Sequence, residues 1–161
     1  MKDDGYLILK LNSSELMDMN ISTNIAVITN LVEHELKLHK SFEEYVESEK
    51  NIFVNQDEND KVVLNYDDEI CRRLSSEAKG SVQFFSTTKK IDNGVIYDNT
   101  IIKSCQDGVR MHIMTIDDAI SIHGTQNYES ICAAIAATEG VVGPYVQSRA
   151  ITKFKPRTQE N

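Results

Sequence analysis

The sequence has no excess of positive charge, no proline-rich linker, no cysteine pair at metal-ligand spacing and no apolar run of membrane length. Each absence removes a class of function. Acidic residues outnumber basic ones 25 to 17, for a formal net charge of −8. No basic face is therefore offered to a nucleic-acid backbone or to an anionic membrane surface. No stretch approaches the roughly 18 apolar residues of a transmembrane helix. The opening MKDDGYLILKLNSSE sets Asp3 and Asp4 directly after Lys2 and has only a short apolar run, which is not the organisation of a signal peptide. Cysteine is limited to Cys71, Cys105 and Cys132, an odd number with no C-x-x-C, as expected of reduced, buried thiols in a cytoplasmic protein. Pro144 and Pro156 are the only prolines, and there is no internal repeat or low-complexity segment. A length of 161 residues with no boundary signal predicts a single domain over 1–161, with 155–161 as a frayed polar tail.

What is present reads as mainly β with short helices. GYLILKLN (5–12) suggests a first strand. Val32–His39 alternates apolar and polar groups with period two and suggests a strand from 24 to about 39, although Ile28, Leu31, Leu38, Phe42 and Tyr45 also fit a helical face; Phe42–Lys50 reads as a helix. NIFVNQDENDKVVLNY (51–66) reads as a hairpin around a polar tip, and DDEICRRLSSEAKG (67–80) as a helix capped by Asp67 and closed by Gly80. SVQFFSTTKKIDNGVIYDNTII (81–102) suggests a second hairpin turning at Asn93-Gly94, since both residues accept positive φ. Val109–Ile116 carries apolar groups on both faces, as a strand covered on both sides would. NYESICAAIAATEG (127–140) reads as a helix and PYVQSRAITKF (144–154) as a final strand.

Chemistry-bearing residues are sparse. His112 and His123 flank Asp117 and Asp118, and His34 and His39 lie five apart, but neither set has metal-ligand spacing. No metal and no cofactor is expected. His39-Lys40-Ser41 and His123-Gly124-Thr125 form two H-x-[ST] triplets and resemble the signature of the two-histidine phosphoesterases. That resemblance implies His39 and His123 as general base and acid, with Ser41 and Thr125 holding a phosphate; imidazoles titrate near neutral pH and suit the task. Lys40 and Gly124 stand where that family prefers an apolar residue.

Residues 62–122 follow an order of strand, short helix, strand, turn, strand and long apolar strand. VVLNYDDEICRRLSSEAKGSVQFFSTTKKIDNG resembles the corresponding region of the hemolysin-coregulated proteins (Hcp), the inner-tube subunits of type VI secretion related in fold to phage tail tubes. QDGVRMHIMTIDD, with Cys132-Ala133-Ala134 following it, is similar to a segment of the IglC-type tube subunits. The resemblance implies an Hcp-like β-barrel without enzymatic activity. It would assemble with itself into homo-hexameric rings and an inner tube, with sheath or baseplate proteins as further partners. The subunit would be cytoplasmic or exported through the secretion machine. Asp57, Glu58 and Asp60 would then be interface residues between rings. A small acidic chaperone or immunity-type binding protein is a third expectation.

Overall fold

The computed structural model describes residues 5–32, 38–116 and 125–155. Its elements in chain order are α1 (Ser13–Leu16), β1 (Ile25–Ile28), α2 (Phe42–Lys50), β2 (Lys61–Asn65), α3 (Glu69–Leu74, prolonged by a 3₁₀ turn at Ser75–Glu77), β3 (Ser81–Ser86), β4 (Gly94–Asp98), β5 (Ile101–Gln106), β6 (Val109–Thr115), α4 (Thr125–Thr138) and α5 (Pro144–Lys153). The strands form a six-stranded sheet in sequence order, β1-β2-β3-β4-β5-β6. It is open, with β1 and β6 at its edges, so the β-barrel expectation fails.

The first three pairings are parallel and the last two antiparallel. β1 reaches β2 through α2, and β2 reaches β3 through α3. A β-α-β-α-β order produces a parallel sheet covered by helices. α4 packs across β1 to β4 on one face, where Val63, Phe85, Val95, Ile102, Ile131 and Ile135 form one core. Ala26, Ile28, Val62 and Leu64 face the other way, against Tyr45 of α2, Phe53, and Cys71 and Leu74 of α3. β2 is therefore buried on both faces. That is why its sequence is a continuous apolar run instead of an alternating one.

Several local expectations are corrected here. Residues 51–66 are not a hairpin: turns occupy 51–55 and 58–59, and Lys61–Asn65 pairs in parallel with β1 and β3. Residues 81–102 are not a hairpin either. Phe85 and Ser86 at the end of β3 pair in parallel with Val95 and Ile96 near the start of β4, so the strands overlap only at their tips and the short link 87–93 suffices. The two hairpins lie further on. Asn99 (φ 47°) and Thr100 (φ 72°) join β4 to β5, and Asp107 (φ 50°) and Gly108 (φ 78°) join β5 to β6. Positive φ at both central residues matches the right-handed twist of the flanking strands. Gly94 instead brings β4 close to β3, where a Cβ would collide with the Phe84 carbonyl.

Tyr6–Leu9 lies in no strand. β6 is an edge strand whose first four residues are exposed, not one covered on both sides. Residues 144–153 are helix α5, with Pro144 in the first turn, where its missing N–H costs nothing. Helix α2 forms where expected. Ser41 Oγ accepts from Glu44 N at 3.2 Å, Glu43 and Glu44 occupy the first turn, and Lys50 in the last turn pairs with Glu47 at 3.0 Å and Glu77 at 2.5 Å. Both charge placements suit the helix dipole.

Candidate functional site at the carboxyl ends of the parallel strands

In open α/β sheets the loops beyond the carboxyl ends of the strands form the functional crest. Here those loops are Thr29–Leu31 after β1, Tyr66–Asp68 after β2 and Thr87–Lys89 after β3. Three side chains tie them together. Asn65 Nδ2 donates to Thr29 O at 2.9 Å and its Oδ1 accepts from Asp67 N at 2.8 Å. Asp68 caps α3, accepting from Ile70 N at 2.8 Å and Cys71 N at 2.9 Å, and its second oxygen accepts from Leu31 N at 3.2 Å. Asp67 accepts from Ser86 Oγ, Thr87 N and Thr88 Oγ1, each at 2.7 Å, and from Thr88 N at 3.1 Å.

Burial pushes the Asp67 carboxyl up. The hydrogen bonds from Thr88, Ser86 and the Thr87 and Thr88 amides outweigh it and hold the group below the ordinary carboxylate value. The crest is thus an anionic buttress that fixes three loops. Asn30 Nδ2 carries it on to α4 through Glu129 Oε2 at 3.4 Å. On its rim, Tyr66 lies edge-to-face with Phe84, with the Arg72 guanidinium 5.4 Å and the Lys89 ammonium 5.7 Å from its ring centre. Thr87 and Thr88 also line an open depression with Tyr97, Asp98, Asn99 and Thr100.

A second polar cluster fixes the far end of α4. Lys61 Nζ donates to Ala137 O at 3.4 Å in the last turn of α4 and to Glu139 O at 2.7 Å just beyond it. Glu139 accepts from Gln83 Nε2 at 2.6 Å and from Ser104 Oγ.

The residues singled out in the sequence fall elsewhere. His39 Nε2 is 2.9 Å from Ser13 Oγ, and its ring packs edge-to-face on Tyr45. Ser41 is the cap of α2. His123 lies outside the described residues, as do Asp117, Asp118 and His34. Thr125 opens α4. His112 is on the exposed edge strand, 3.0 Å from Thr115 Oγ1. Asp57 and Asp60 build the turn before β2: Asp60 accepts from Asp57 N at 2.8 Å and Asn24 Nδ2 at 3.1 Å, and Asp57 accepts from Asn59 N at 2.8 Å, while Glu58 is exposed. Cys71, Cys105 and Cys132 are free and buried, and burial pushes the Cys71 and Cys132 thiols up to about 12. Among the described residues no group of three His, Cys, Asp or Glu side chains is placed to hold a metal ion. No helix there is long and apolar enough to cross a membrane. The 161 residues contain no G-x-x-x-x-G-K-[ST] phosphate loop.

Helices on both faces of a sheet whose first four strands run parallel, with polar loops tied together at their carboxyl ends, define a mixed α/β domain with a functional crest. Residues 6–138 match the Mur ligase middle domain, and the chain belongs to that family. It is 40% identical over 148 residues, 92% of its length, to the UDP-N-acetylmuramoylalanine–D-glutamate ligase of Ruminiclostridium cellulolyticum, and covers 32% of that protein. Its fold is that of a UDP-N-acetylmuramoyl-L-alanyl-D-glutamate–2,6-diaminopimelate ligase structure, with a TM-score of 0.64, 18% identity, and 92% of this chain and 32% of that one covered. It is also that of a MurF ligase from Thermotoga maritima in complex with ADP, with a TM-score of 0.54, 16% identity, and 84% and 31% covered. The chain spans about a third of the length of the curated relatives it matches.

These findings overturn the resemblance to Hcp and IglC-type subunits and all that it implied: the tube, the hexameric ring, the sheath and baseplate partners, the export route and the absence of enzymatic activity. The relatives are ligases. The phosphoesterase and chaperone or immunity expectations fall with it. The residues that carried the tube resemblance have other work here. Asp107-Gly108 is a hairpin tip, and Cys132 and Ala133 lie on the core face of α4 while Ala134 is exposed. The signal that was missed is the alternation of strand and helix from Ile25 to Ser86, with the acids of N-Y-D-D directly after a fully apolar strand.

Proposed function

We propose that this chain serves in joining D-glutamate to UDP-N-acetylmuramoylalanine in the cytoplasm, as the segment of a ligase that carries the buttressed crest. The observation that carries this reading is 40% identity to a D-glutamate ligase across 92% of the chain. A ligase of like fold is bound to ADP, which brings a nucleotide into consideration. The described residues do not fit its phosphates, because they offer neither a phosphate loop nor a metal-ligating group of three. No step is therefore routed through it on this chain. What the chain's own residues supply is position. Asp67 and Asp68 hold the three loops at fixed separations, and the Lys61–Glu139 cluster holds α4 against the sheet.

The test is a chimera in which this chain replaces the matched segment of the R. cellulolyticum ligase. We expect phosphate release that depends on both D-glutamate and UDP-N-acetylmuramoylalanine, within about a hundredfold of the parent in kcat/KM, a loss of about 2.7 kcal/mol in transition-state stabilisation. A folded chimera with no glutamate-dependent release overturns the reading.

A further inference from the structure

The crest keeps its acids and its cations apart. Asp67 accepts from the donors of Ser86, Thr87 and Thr88, and Asp68 from the amides of Leu31, Ile70 and Cys71. Arg72 of α3 and Lys89 after β3 converge instead on the Tyr66 ring, 5.4 and 5.7 Å from its centre. Among the described residues neither cation meets a carboxylate at ion-pair distance. An aromatic face holds a cation through its quadrupole and leaves the positive charge uncancelled.

The arrangement is also rigid. Tyr66 stands edge-to-face with Phe84, and both pack on Ile91, Ile96 and Cys105. Arg72 Nη1 donates to the Tyr66 carbonyl at 2.5 Å, which fixes the guanidinium and leaves the rest of its donor fork open. In a chain of net charge −8, two uncancelled cations stand where open α/β sheets take their ligands. A carboxylate matches one of them. A phosphate group carries close to two negative charges above neutral pH and offers three oxygens to a fork and an ammonium.

We propose that Arg72 and Lys89, mounted on Tyr66, form an anion site on the crest that takes the phosphate group of a small molecule. It is a side-chain clamp that holds a phosphate without cleaving it, and it uses neither a phosphate loop nor a metal. The proposal stands apart from the ligase reading, because binding is read without turnover.

The experiment titrates the chain with sodium phosphate at about pH 8 and constant ionic strength, and follows amide and arginine Nε resonances by NMR. The expected result is saturable shifts at Tyr66, Arg72 and residues 87–89, with a Kd on the order of 1 mM. Sodium acetate binds at least about tenfold more weakly. Arg72→Gln and Lys89→Gln each weaken phosphate binding about tenfold, as loss of a charge-assisted hydrogen bond does. Lys153→Gln on α5 removes the same charge elsewhere and leaves the affinity unchanged. The Lys89 side chain is exposed, so its variant keeps the fold and decides the matter even where Arg72→Gln does not fold. Absence of saturable shifts overturns the proposal, as does binding indifferent to Lys89→Gln or weakened equally by Lys153→Gln. Acetate bound as tightly as phosphate overturns the phosphate assignment. Glucose 1-phosphate is the second arm: tighter binding than phosphate upholds the site with an ester as its ligand, and weaker binding upholds it for the free ion.

Discussion

Val62, Val63 and Leu64 on β2 are completely buried, whereas Val109 and Met111 on β6 are 72 and 49% exposed. Both runs are apolar and both are strands of one sheet. What separates them is connectivity. β2 has α2 and α3 against one face and α4 against the other, and its neighbours on both sides are parallel strands. β6 is reached through a two-residue turn and ends the sheet, so only its last residues, Ile113 and Met114, reach the α4 core. Side-chain type alone does not assign burial; the path of the chain does.

The contrast is broken most directly by deleting side chains on either side of it. Phe85→Ala on β3 removes a fully buried ring from the core beneath α4 and should cost about 3–5 kcal/mol. Met111→Ala on β6 should stay within about 0.5 kcal/mol. Urea denaturation of the two variants checks this; comparable losses would mean that the β6 edge is covered in solution.

Glycine sharpens the same comparison at smaller scale. A Cβ at Gly80 would run into the backbone carbonyls of Asp60 and Asp57, where β3 enters the sheet beside β2. A Cβ at Gly108, at the β5–β6 tip, would meet nothing within 4 Å and suffer only from its φ of +78°. Backbone cannot give way as a flexible side chain can, so Gly80→Ala should cost about 2–3 kcal/mol. Gly108→Ala should cost about 1 kcal/mol. Thermal melts of the pair rank the two effects, and a larger loss at Gly108 would contradict the close approach at Gly80.

How much of this was legible in the sequence follows from which forces are local. Helix α2 was legible, because Ser41, Glu43, Glu44 and Lys50 settle its ends by capping and charge. So were α4 and the cap-rich start of α3, although the cap is Asp68 and the helix ends at Leu74, before the 3₁₀ turn. The parallel arrangement was not. Val62–Leu64 is an apolar run with no alternation, and such a run fits a doubly covered strand and one arm of a hairpin equally well. Asn93-Gly94 was misleading for a related reason: its glycine serves close approach to Phe84, whereas the tight turns fall at Asn99-Thr100 and Asp107-Gly108. In 144–153 the β-branched residues suggested a strand, and Pro144 at the helix start outweighed them. Of the crest, the Asp68 cap is a sequence-local feature. The role of Asp67 depends on Ser86, Thr87 and Thr88, about twenty residues away, and only the fold brings them together.

Asp67 gives a smaller effect than Phe85 or Gly80, and one with a distinctive pH signature. Its carboxyl lies below the ordinary carboxylate value in the folded chain, the outcome of burial opposed by four donors on Ser86, Thr87 and Thr88. A folded-state value below the unfolded one means that the unfolded chain takes up the proton more readily. The stabilisation is therefore fully present above the unfolded value, near pH 4, and is lost as pH falls through the folded value. Asp67→Asn keeps the shape but removes the charge and places an amide N–H₂ among donors. It should cost about 1–2 kcal/mol at pH 7. The gap between variant and wild type should begin to close as the pH is lowered below about 4 and close further as it falls through the lower folded value, where the wild-type carboxyl becomes neutral as well. Urea denaturation at pH 7, 5 and 3 follows that closure. A gap that stays constant with pH would mean that Asp67 acts through shape alone, and that the crest is held by the Asn65 and Asp68 bonds without it.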